Sequence, residues 1–82
     1  MRIISESKLK RFWETKIDSQ EPLRTWCKLT KTSNWKNFVE VKQTFSSADI
    51  VGKLTIFDIG GNKYRLITFI DYERQKIFIR YI

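Results

Sequence analysis

Histidine is absent from this chain, and the imidazole acid–base pair on which many ribonucleases rely is absent with it. Cysteine occurs once, as Cys27, which excludes both an intramolecular disulfide and a Cys/His metal centre. Cys27 also falls on an apolar helical stripe, so it reads as a small core residue rather than a nucleophile. Carboxylates are few and scattered, so a multi-metal nuclease site is not expected, and no cofactor is. The one adjacent glycine pair joins two strand-like runs, unlike a phosphate-cradling loop that opens a helix. No stretch approaches the ~20 apolar residues of a membrane span, and no cationic leader precedes an apolar run. The expectation is a cytoplasmic protein with no membrane partner.

What is present fits one small folded unit. The 82 residues set a single domain near the lower size at which one core suffices, and 41% are hydrophobic. Sixteen Lys and Arg against nine Asp and Glu leave a net charge of +7. That balance favours a polyanionic partner such as RNA, DNA, the ribosome or an acidic protein. Ten of the sixteen cations precede Gln43, against five acids there, yet no basic tract stands out. The charge is a surface field and not a tail.

Hydrophobic periodicity divides the chain in two. Arg2-Ile3-Ile4 is a candidate first strand, and Ser5 a candidate N-cap with Glu6 in the first turn. Leu9, Phe12, Trp13 and Ile17 then follow at helical spacing, which favours core packing over base stacking for the two aromatics. Asp18 to Pro22 reads as a break and restart, with Pro22 in the first turn of a second helix. Leu23, Trp26, Cys27 and Thr30 form that helix's inner stripe. Thr32-Ser33-Asn34 caps a shorter helical segment containing Trp35, Phe38, Val39 and Val41, which ends at Phe45; Ser46 to Asp49 is a loop. From Gly52 the period becomes two, giving strands over Lys53–Ile59, Lys63–Ile70 and Lys76–Ile82. Helices first and a meander afterwards is an α+β pattern.

The sharpest local signal is Phe57-Asp58-Ile59-Gly60-Gly61-Asn62-Lys63-Tyr64-Arg65-Leu66, which reads as a β-hairpin. Two glycines supply positive φ at the corner. With Gly60-Gly61 as a two-residue loop, Phe57 lies opposite Tyr64 and Asp58 opposite Lys63. Phe57, Ile59, Tyr64 and Leu66 then share one face, and Ile56, Asp58, Lys63 and Arg65 the other. Phe12, Trp13, Trp26, Phe57, Tyr64 and Leu66 are expected in the core. The second face also carries Leu54, Ile67 and Phe69, so part of it calls for a cover. Lys63 and Arg65 beside a rigid corner make a candidate anion site; taken alone, solvated strand cations are the simpler reading.

The same decapeptide resembles the central signature of the HigB-type toxins, the toxin half of a bacterial toxin–antitoxin pair within the RelE-like group of small mRNA-cleaving proteins. Trp35, Phe45-Ser46-Ser47-Ala48-Asp49-Ile50 and Phe78-Ile79-Arg80-Tyr81-Ile82 fall in the family's order, so the likeness covers nearly the whole chain. It implies a single RelE-like domain over residues 1–82, with N-terminal helices packed on a three- to four-stranded antiparallel sheet. It implies a ribosome-dependent mRNA endonuclease that inhibits translation, and a cognate HigA-like helix-turn-helix antitoxin as partner. Arg65 matches the family's strand arginine, with Lys63 beside it, Asn62 at the corner and Arg80 as a further candidate. Arg65, Lys63 and Arg80 are thus the expected catalytic residues, and the same three with Asn62 the expected RNA contacts. If residue 67 pairs with residue 80, Arg65 and Arg80 share a face; a one-residue slip separates them.

The family continues into a Thr-His-x-Glu-Tyr-Asp-Lys segment, whereas this sequence stops at Ile82. The expectation drawn from that is a C-terminally truncated form, weak or inactive in cleavage and prone to self-association through the uncovered face. The alternative function is a non-catalytic module of the same fold that binds RNA, the ribosome or the antitoxin.

Overall fold

A computed structural model describes all residues from Met1 to Ile82. Three helices, α1 (Ser7–Thr15), α2 (Gln20–Lys31) and α3 (Phe38–Thr44), accompany five strands. The strands are β1 (Arg2–Ile4), β2 (Asp49–Val51), β3 (Leu54–Ile59), β4 (Tyr64–Asp71) and β5 (Lys76–Tyr81). A single 3₁₀ turn, Ile17–Ser19, links α1 to α2. They form one sheet in the order β1-β5-β4-β3-β2, antiparallel except where β1 runs parallel to β5.

The sheet is therefore five-stranded and mixed, not three- to four-stranded and antiparallel. Two short strands make the difference. Ile3 pairs with Ile77 and is buried, so the first apolar run closes one edge of the sheet. At the other edge, Ile50 and Val51 turn back through Gly52, whose φ of +60° suits glycine, and pair with Thr55 and Leu54. The free edge of β2 is partly blunted, because the Asp49 carboxylate accepts from the Ile50 amide at 2.8 Å.

Helix ends follow local chemistry. Asn37, not Thr32-Ser33-Asn34, caps α3: its side chain accepts from the Glu40 amide at 3.1 Å, and Glu40 accepts from the Lys36 amide at 2.9 Å. Ser5 does not cap α1; it takes a left-handed φ of +68° and the helix begins after Glu6. The first helix stops at Thr15, which leaves Ile17 outside its stripe and 69% exposed. Val39, on the outer side of α3, is exposed as well. The inner stripe of α2 is as its spacing implies, with Leu23, Trp26, Cys27 and Thr30 all buried.

The core lies between the helices and one sheet face. Phe57 is at its centre, 5.3 Å from the rings of both Trp26 and Phe45 and 6.4 Å from Trp35, counted between centroids. Leu9, Leu66, Ile59, Ile77 and Ile79 fill in around it. Phe12, Trp13 and Tyr64, expected in the core, are half-buried at its margin, where Phe12 meets Tyr64 edge to face at 5.2 Å. The N-terminal ammonium donates to the carbonyls of Thr30 (3.1 Å) and Ser33 (2.5 Å), placing a cation at the C-terminal end of α2.

Candidate functional site

The opposite sheet face has no helix over it. Leu54, Ile56, Asp58, Ile67, Phe69 and Phe78 stand half-buried along it, and Arg65 and Arg80 are exposed. Strand alternation thus splits the molecule into an aromatic core and an open apolar face edged by arginines.

The β3–β4 hairpin is tighter in chemistry and longer in loop than its sequence suggests. Phe57 pairs with Leu66, Asp58 with Arg65 and Ile59 with Tyr64, so four residues, Gly60 to Lys63, make the turn. Both glycines take positive φ, +65° and +74°, and the Lys63 amide donates to the Gly60 carbonyl. The pairings Phe57–Tyr64 and Asp58–Lys63 are thus incorrect. Because the shift is by two residues, the sorting of Phe57, Ile59, Tyr64 and Leu66 onto one face survives.

Lys63 does not survive on the other. Freed from the strand, its ammonium is ion-paired with Asp18 in the 3₁₀ turn, on the helix side of the corner. The second Asp18 oxygen accepts from the Tyr64 hydroxyl at 2.6 Å. Both partners, Lys63 first and Tyr64 second, hold the Asp18 carboxyl below its ordinary range, and the carboxylate raises Lys63 and Tyr64 above theirs. One carboxylate therefore clasps the hairpin corner to the helix layer. Asn62 is exposed at the tip of the same turn.

Arg65 remains on the open face. Its Nε lies 3.8 Å from Asp58 Oδ1 across the strand pair, with 61% of its side chain exposed. That separation is an ion pair without a hydrogen bond, which leaves the guanidinium donors free for another anion.

Arg80 reaches the same face through the β4–β5 register, which ends in a bulge. Residue 67 pairs with Tyr81, and 68 with Ile79, so Arg80 is the extra residue of a β-bulge. From Asp71–Lys76 to Thr68–Ile79 the ladder follows the register that pairs 67 with 80, which puts the two arginines on one side; the bulge shifts only the last pair. The Arg80 guanidinium lies 5.9 Å from the Phe69 ring and 6.0 Å from the Phe78 ring, which are a cross-strand pair 6.1 Å apart. Cation–π attraction to two rings holds this exposed side chain to the sheet. Tyr81, opposite Ile67, is 69% exposed at the strand's end.

Of the four residues picked out by sequence, the fold thus places Arg65 and Arg80 on one face of adjacent strands and assigns Lys63 to a clasp, with Asn62 beside it. Sequence reasoning missed Asp18 altogether, since nothing links it to residues 45 positions away. Phe78 as partner of Phe69 follows from the register that pairs 67 with 80, carried back two residues along the ladder. The site offers two guanidinium groups on an open, partly apolar strand surface, with no histidine, no cluster able to hold a metal and no pocket. Such a surface can bind phosphate and stabilise charge that develops on it. No helix is long and apolar enough to cross a membrane.

The family model HigB toxin, described as a RelE-like toxic component of a toxin–antitoxin system, matches residues 19–82, a span holding α2, α3 and strands β2 to β5. No curated protein matches the chain.

Proposed function

This chain belongs to the HigB family of RelE-like toxins, a toxin component with an antitoxin partner, and on that premise we propose that it is an mRNA endonuclease acting on the ribosome. The observation that carries the reading is the placement of Arg65 and Arg80 on one open face of adjacent strands, set by the β4–β5 register. Cleavage proceeds by attack of the RNA's own 2′-oxygen on the adjacent phosphorus, its proton passing to water, while the bond to the 5′-oxygen breaks and that oxygen takes a proton from water, leaving a 2′,3′-cyclic phosphate. The phosphoryl group gains negative charge on the way, and a guanidinium held against it binds the transition state more tightly than the substrate.

In this reading Arg65, loosely paired with Asp58, supplies that stabilisation. Arg80, resting on Phe69 and Phe78, holds the RNA backbone alongside it. Asn62 and Lys63 flank the path of the strand at the hairpin corner. The ribosome presents the mRNA and supplies the positioning that an open face lacks. The antitoxin is a HigA-like helix-turn-helix protein, and the net charge of +7 speeds its association with an acidic surface in a salt-sensitive way.

Induction in bacteria, with growth followed and mRNA 5′ ends mapped, tests the proposal. Growth arrest with new cleavage sites inside translated messages, relieved by the neighbouring antitoxin, is the expected outcome. Arrest without new ends, or normal growth at full expression, would reject an endonuclease and leave a binding module of the same fold.

A further inference from the structure

The clasp at the hairpin corner contains a cation that the open face does not use. Lys63 is the exposed residue next to the arginine strand, yet its ammonium is neutralised by Asp18, and 61% of the Lys63 side chain and 44% of the Asp18 side chain are open to solvent. Asp18 presents two oxygens to two donors, Lys63 and Tyr64. A phosphate group offers the same oxygen chemistry to an ammonium. Resting on the reading of this chain as an RNA-binding toxin, we infer that Asp18 is a positioning residue for the RNA site: it occupies Lys63 as a phosphate would, and withholds that cation from the RNA.

Three features of the fold support this. The pair is at the surface, where an ion pair is weak enough for an incoming polyanion to exchange with it. The corner is anchored independently of Lys63, through the Tyr64 hydroxyl on Asp18 and the Phe12–Tyr64 ring contact. Lys63 can therefore leave Asp18 without the hairpin coming away. Its place in the turn, directly before the strand that carries Arg65, puts a released ammonium at the end of the arginine face.

The test measures binding of a short fluorescein-labelled single-stranded RNA to the full chain as a function of salt. Asp18→Asn is compared with Glu14→Gln, an exposed residue outside the site that changes net charge equally, and each is repeated in a Lys63→Met background. Freeing Lys63 adds one phosphate contact, so Asp18→Asn is expected to tighten binding roughly two- to fivefold and to steepen the slope of log K against log salt by ~0.7. The gain should vanish with Lys63→Met and be missing in Glu14→Gln. Tyr64→Phe, which loosens the corner but leaves the ion pair, should show no gain, whereas a purely structural role for Asp18 would make both variants bind alike. Equal affinities for Asp18→Asn and Glu14→Gln, or a gain that persists without Lys63, would overturn the inference alone. Failure of the wild-type chain to bind RNA at low salt would instead defeat the RNA-binding reading beneath it.

Discussion

Two phenylalanines on successive strands separate the roles of the two sheet faces. Phe57 is 1% exposed and touches Trp26, Phe45 and Trp35, so Phe57→Ala removes the centre of the aromatic core. Truncating a buried Phe costs about 3–5 kcal/mol, and the lost aromatic pairs, each ~0.5–1.5 kcal/mol beyond burial, place this one at the upper end. In a domain of this size each kcal/mol lowers Tm by about 4–8 °C, so the variant should melt at least ~15 °C lower. Against a total stability of ~5–15 kcal/mol it is close to unfolded. Phe69 has the same side chain, but it is half-buried on the face without helices. Phe69→Ala should cost only about 1 kcal/mol. Its main effect is to remove one of the two rings beneath Arg80. Urea unfolding followed by circular dichroism gives both values. A Phe69→Ala loss equal to that of Phe57→Ala, or a Phe57→Ala loss below ~2 kcal/mol, would refute the division into a covered and an open face.

The clasp gives a pH signature. Asp18 titrates below its ordinary value, so its contribution is present above the unfolded pKa near ~4 and is lost as pH falls through the folded value. Lys63 and Tyr64 titrate above theirs, so their share is present below ~10 and lost as pH rises through the folded values. Hairpin-corner amide shifts in NMR should stay flat between these limits and move outside them. The same limits in Asp18→Asn would contradict the assignment. Burial pushes the Cys27 thiol up to about 11, so a thiol reagent at neutral pH should modify the native chain slowly and the urea-unfolded chain at the rate of a free thiol. Equal rates in the two states would show that Cys27 is not in the core.

Legibility in the sequence followed the range of the forces involved. The α2 stripe, the three long strands and the sorting of the hairpin faces rest on periodicity, which is local, and they were readable. The family resemblance, carried by Gly60 to Leu66, was readable in the same way. Strands β1 and β2 were underweighted because three residues carry little periodic signal, and their strand state comes from pairing with β5 and β3. The hairpin loop was misjudged because two glycines fit a two-residue corner as well as a four-residue one. The Lys63 position then followed tertiary electrostatics: Asp18 lies far away in sequence and captures the ammonium. The face taken by Arg80 depended on the β4–β5 register, which alternation within one strand does not fix.

On the proposed function, Arg65 stabilises the phosphoryl transition state in cleavage of ribosome-bound mRNA. Single-turnover cleavage on programmed ribosomes, comparing the wild-type chain with Arg65→Ala, addresses it directly. The expected rate for Arg65→Ala is about 10²–10³-fold lower with an unchanged thermal melt, since one charge-stabilising donor is lost and the exposed side chain supports no packing. Equal cleavage rates for the two proteins would contradict it.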